Sequence, residues 1–101
     1  MPPGSLLLAR RYTIIESDRF RTERTAISAD VQFMDQQLFG VTTAISLNPE
    51  AGKATSNPDI WAVPTASWTQ ARPLVIYYSF DKQREIAILE SIIQTAKPEL
   101  P

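Results

Sequence analysis

The chain contains no cysteine and no histidine. Those two absences remove thiolate nucleophiles, imidazole bases, disulfides and the usual zinc, copper and haem ligands. Oxygen-only metal sites survive, but no pattern calls for one, so neither a metal nor a cofactor is expected. Long hydrophobic runs are missing as well. The longest apolar stretch near the start is "LLLA", residues 6–9, far short of a signal-peptide core or a membrane span. No membrane contact is expected, and a reducing cytoplasm is the default location. Charge of one sign is also lacking, because 10 Lys plus Arg stand against 11 Asp plus Glu for a net charge of -1. Proteins that live on phosphate contacts usually carry a basic excess, so a nucleic-acid role here needs local clustering. No internal repeat or low-complexity tract is visible.

What is present suffices for one core. At 101 residues, 44% aliphatic or aromatic and 21% charged, the chain reads as a single folded domain. "MPPGS" reads as a flexible start, and "AKPELP" places two prolines in the last four residues. The domain is therefore expected over residues 10–95, between a tail at 1–9 and a frayed end at 96–101.

"RYTIIE", residues 11–16, has the β-branched and aromatic content of a short strand. "ESDRFRTERTAI" follows with Ser17 or Asp18 as a helix N-cap and Arg19 and Glu23 at i, i+4. Next, Val31, Met34, Leu38, Val41 and Ile45 recur at 3-4-3-4 spacing and form one stripe of a second helix, with Phe33 and Phe39 at its margins. Gly40 inside that helix implies close packing or a bend. "NPEAGKATSNP", residues 48–58, is dense in turn formers and ends the helix near Asn48.

Three apolar runs then follow, "DIWAVPTA", "RPLVIYYSF" and "REIAILESII", separated by "SWTQA" and "DKQ". These spacings suit antiparallel strands with short connections. Ile86, Leu89 and Ile93 also satisfy a helical stripe, but the alternation of Ile86 with Ile88 and the short "DKQ" link favour a strand. The expected fold is α+β: a strand, a two-helix hairpin, then a three-stranded antiparallel meander, with the helices on one face of the sheet.

Alternation in the middle strand puts Leu74, Ile76, Tyr78 and Phe80 on one side and Val75, Tyr77 and Ser79 on the other. In the last strand Ile86, Ile88 and Ile92 oppose Ala87, Leu89 and Ile93. Both sheet faces are apolar, and helices cover only one, so the other needs a loop, a terminal segment or a partner chain. Leu74, Ile76, Tyr78 and Trp61 are the candidate partner-binding residues, and a homodimer is one way to cover them. Glu90, alone in "IAILESII", must reach water or an arginine such as Arg10 or Arg11.

The order of elements, the helix end followed by "LNPEAGK" and the strand pair "LVIYYSFDKQREIAILESI" resemble the RelE/ParE superfamily, the toxins of bacterial type II toxin-antitoxin modules. The resemblance spans about Tyr12 to Ile93. Pro49 and Gly52 match a proline-glycine loop after the second helix, and Leu74 to Tyr77 match a strand that commonly reads arginine, aliphatic, aliphatic, tyrosine. It implies a cognate antitoxin wrapped on the toxin, and growth arrest by one of two routes. One is metal-independent mRNA cleavage on the ribosome, where basic side chains stabilise the phosphate while the 2'-hydroxyl attacks. The other is inhibition of DNA gyrase. Leu74 occupies the place of the family arginine, and "QTAKPELP" lacks the arginine and tyrosine that cleaving members place there.

The catalytic candidates are thereby Arg72, two residues before Leu74 on the same strand face, Lys53 in the loop, and Arg84 at the start of the last strand. Each has an ordinary alternative: a solvated lysine, an edge charge, and a surface pair with Asp81 or Glu85. "DRFRTER" is the sole basic cluster, tempered by Asp18 and Glu23, and reads as a solvated helix face. A non-enzymatic adaptor on the same fold, using the sheet face only for protein binding, is the competing class.

Overall fold

The computed structural model describes residues 11–65 and 74–95. The expected tails, Arg10 and Arg72 lie outside these described residues. Strand β1 (Thr13–Glu16) leads into helix α1 (Asp18–Ile27) and helix α2 (Val31–Leu47), then a 3-10 turn (Pro49–Ala51). Strands β2 (Lys53–Ala54), β3 (Trp61–Pro64), β4 (Leu74–Asp81) and β5 (Ile86–Gln94) complete the fold.

The helices start where side chains can satisfy their free amides. Ser17 Oγ accepts from Phe20 N–H at 3.0 Å, and Asp30 Oδ1 accepts from Phe33 N–H at 3.0 Å. At the far end of α2, Asn48 N–H donates to Ala44 O, and Asn48 Oδ1 accepts from Glu50 N–H at 3.1 Å, which opens the 3-10 turn. Pro49 fits the first position of that turn because its missing N–H is not needed there.

Of the α2 stripe, Met34, Leu38 and Ile45 are buried and Val41 packs against them. Val31, by contrast, is 65% exposed, because as the first helical residue it lies beyond the edge of the core. Phe33 and Phe39 also face outward. A Cβ on Gly40 would meet nothing within 4 Å, so close packing does not explain this glycine.

The sheet is larger than a three-stranded meander. It has five strands in the order β1-β5-β4-β3-β2 and is mixed, with β1 parallel to β5 and the remaining neighbours antiparallel. The first strand thus returns to the edge beside the last one. The ambiguous "REIAILESII" segment is a strand, pairing with all eight residues of β4.

One irregularity in that pairing decides which side chains meet. Tyr77 pairs with Ser91 but Tyr78 pairs with Leu89, so Glu90 is an extra residue, a β-bulge. The bulge reverses the alternation. Ala87, Leu89 and Ile92 all enter the core, and Ile93 is 40% exposed on the other side. Strict alternation without the bulge would put Ile92 with Ile86 and Ile88.

Both helices contribute to one core on one face of the sheet: Phe20 from α1, Met34, Leu38 and Ile45 from α2, with Leu74, Ile76, Tyr78, Ala87, Leu89 and Ile92.

Candidate interaction surface

The bulge and the loop after α2 are each fastened by a polar side chain from elsewhere in the chain. Past Glu16, β5 has no strand partner on its β1 side, and α1 takes over that role. Ser17 donates through N–H to Leu89 O and through Oγ to Glu90 O. Glu23 Oε1 accepts both Ser91 Oγ at 2.7 Å and Ile92 N–H at 3.0 Å. The Ser91 hydroxyl above all, and the Ile92 amide after it, hold the Glu23 carboxyl below the usual range against the opposing effect of burial.

The loop after α2 closes on Tyr78. This phenol, wholly buried, donates to Pro49 O at 2.5 Å and accepts from Gly52 N–H at 3.1 Å. Burial pushes its pKa up, and the Gly52 amide opposes that. A Cβ on Gly52 would stand 2.6 Å from Ala62 O and 2.7 Å from Tyr78 Oη, so glycine is required by the close approach of the loop.

The basic cluster on α1 is neutralised. Arg24 sits between Glu16 at 2.7 Å and Asp35 at 2.5 Å, while Arg21 reaches Glu16 at 3.8 Å and Arg19 reaches Glu23 at 3.2 Å. Burial opposes the charge on Arg24, but the Asp35 and Glu16 carboxylates outweigh it and raise its pKa. These pairs hold α1 to β1 and α2, leaving no concentrated positive surface on this helix.

Two of the catalytic candidates, Lys53 and Arg84, lie among the described residues. Lys53 lies on the edge strand β2, exposed, opposite Ala62. Arg84 lies in the turn after β4, its side chain 78% exposed and 3.8 Å from Asp81, a weak surface contact. No hydrogen bond or ion pair joins the two among the described residues. Leu74, Ile76 and Tyr78 are 6%, 0% and 0% exposed, beneath the helices and not on an open face. Trp61 packs on the same side, its ring 5.5 Å from that of Phe80. A cleft of about 480 Å³ beside this pair is lined by Pro58, Asp59, Trp61, Ser79, Phe80 and Lys82. Among the described residues no group of acidic side chains could hold a metal ion, and no helix is long and apolar enough to cross a membrane.

The opposite face of the sheet is the surface no described element covers. Residues paired across neighbouring strands share a face, so Val75 and Tyr77 of β4 lie with Ala62 of β3, Ile86, Ile88 and Ile93 of β5, and Ile15 of β1. Ile15 is 42% exposed and the others are half-buried or more open. Within this apolar field stands Glu90, carried outward by the bulge. Its Oε2 accepts from Ser79 Oγ at 2.7 Å, and it makes no ion pair among the described residues.

No model of a known protein family matches the chain, and no curated protein matches it either. The reading of the surface therefore rests on its own chemistry.

Proposed function

We propose that the chain is a non-catalytic protein-interaction domain whose working surface is the outer sheet face. The observation that carries this is an apolar sheet face, from Ile15 through Ile88 to Tyr77, in which Glu90 makes no ion pair among the described residues. Contiguous apolar area of this kind on a small domain marks a contact surface. Leu74 in the place of the family arginine, its side chain in the core, supports binding over cleavage. So does the pairing of all three α1 arginines with carboxylates. The test is binding of a fluorescent dye specific for exposed apolar surface. The parent chain binds it, and Tyr77→Glu, which places a charge in the centre of the face, lowers the signal at least severalfold while circular dichroism stays unchanged. A folded parent that binds no dye would remove the basis for this reading.

A second reading is favoured by the order of elements, one strand, two helices and then the strand pair "LVIYYSFDKQREIAILESI". It is the toxin of a type II toxin-antitoxin module, acting on mRNA or DNA gyrase and neutralised by an antitoxin. Expression without any neighbouring gene product arrests growth under this reading and is harmless under the first. Primer extension on total RNA then separates mRNA cleavage from gyrase inhibition.

A further inference from the structure

We infer that the outer sheet face pairs two copies of this chain, face to face, about a two-fold axis running parallel to the strands between β3 and β4. This rests on the reading of that face as a docking surface, and names what docks there.

The charge pattern of the face is complementary to itself. Register places Lys53, Ala62 and Tyr77 in one row across β2, β3 and β4. One strand further, on β5, Glu90 stands beside that row at the bulge between the partners of Tyr77 and Tyr78. The row therefore carries a base at one end, an acid at the other and apolar side chains between. Neither Lys53 nor Glu90 has an ion-pair partner among the described residues.

Rotation about the stated axis lays β5 of one copy over β2 of the other, and β4 over β3. Each Glu90 then faces the other copy's Lys53, twice by symmetry, as an isologous interface requires. Each Tyr77 faces Ala62, a large side chain against a small one, which lets the layers interdigitate. Facing sheets stand about 10 Å apart, a gap that a lysine and a glutamate span from opposite sides. A rotation axis perpendicular to the sheet would not bring the two faces together at all.

The size of the surface sets the strength. Three strand spacings of about 4.8 Å and the four residues of β3 at about 3.4 Å give roughly 200 Å² of overlapping sheet per copy. That is about a quarter of what a standard stable interface buries on each partner, so the dimer is weak and forms and dissociates with concentration.

Sedimentation velocity on the full chain across a hundredfold range of concentration tests this. The expected result is a shift from monomer to dimer mass. Glu90→Lys and Lys53→Glu, each folded by circular dichroism, raise the dissociation constant about tenfold or more, because each sets like charges opposite one another. The combined Glu90→Lys and Lys53→Glu chain returns it to within about threefold of the parent. A chain that stays monomeric at the highest concentration yet binds the apolar dye would overturn the dimer while leaving the docking surface intact. Self-association that ignores all three variants would overturn it as well. Loss of the dye signal in the parent would instead strike the underlying reading.

Discussion

The two faces of the sheet use the same residue types and do different work. Beneath the helices, Ile76, Tyr78, Leu89 and Ile92 are at most 2% exposed, and the one phenol among them finds two backbone partners. Across the strand, Val75, Tyr77 and Ile88 are half-buried, and Glu90 among them accepts from a serine and makes no ion pair among the described residues. Apolar content alone does not distinguish the faces. What distinguishes them is whether polar atoms are satisfied within the chain, since an internally satisfied face has no use for a partner and a partly satisfied one has.

Substitutions at matched positions sharpen this contrast. The largest effect is expected on the inner face. Ile76→Ala should cost about 3 kcal/mol in denaturant unfolding, from lost transfer energy plus a cavity, whereas Val75→Ala, one residue along, should cost about 1 kcal/mol or less. Equal losses at the two positions would show that the outer face is also core.

Gly52→Ala comes next. With backbone and the Tyr78 hydroxyl inside 3 Å of the new methyl, the loop must move, and a loss of about 2 to 3 kcal/mol is expected. Tyr78→Phe leaves Pro49 O and Gly52 N–H without their partner, so about 1 to 3 kcal/mol should be lost although the ring remains.

A smaller effect concerns the bulge that creates the outward Glu90. The folded-state pKa of Glu23 is lowered, so its contribution to stability is complete above the ordinary carboxylate pKa. It is lost as pH falls through the lowered folded value. Thermal melts of Glu23→Gln should therefore show a lower midpoint at pH 7 and a shallower decline below about pH 4.3 than the parent. A Glu23→Gln chain with the parent's acid profile would show that Glu23 does not fasten the bulge. The smallest effect is on stability at the outer face: Tyr77→Ser should change unfolding free energy by about 1 kcal/mol or less, while weakening dimer formation.

Much of this organisation was legible in local patterns. Ser17 as a cap, Arg19 with Glu23, the Met34-Leu38-Ile45 stripe and the end of α2 at Asn48 all depend on residues within a turn of one another. The two-sided apolar character of β4 was legible for the same reason. The bulge at Glu90 was not. Nothing in "IAILESII" marks it, because it depends on Ser17 and Glu23, 73 and 68 residues from the groups they bind. Alternation separates two faces of β4 without saying which one the helices cover, so Leu74, Ile76 and Tyr78 read equally well as partner-facing until the helices are seen to bury them. Pro49 and Gly52 form a legible loop pattern, but their physical role depends on Tyr78, 29 and 26 residues away.

The amino-acid sequence by itself determined the two helices and four of the five strands, the helix caps, most of the apolar stripes and the absence of thiol and imidazole chemistry. These follow from bond rotation, side-chain shape and hydrogen bonding over a few residues. Only the tertiary structure decided that β1 lies parallel beside β5, that α1 fastens a bulge, and that Glu90 turns outward while Tyr78 turns in. Those outcomes depend on groups brought together across the whole chain, where the cost of an unsatisfied buried polar atom selects one register among several that the local pattern allows.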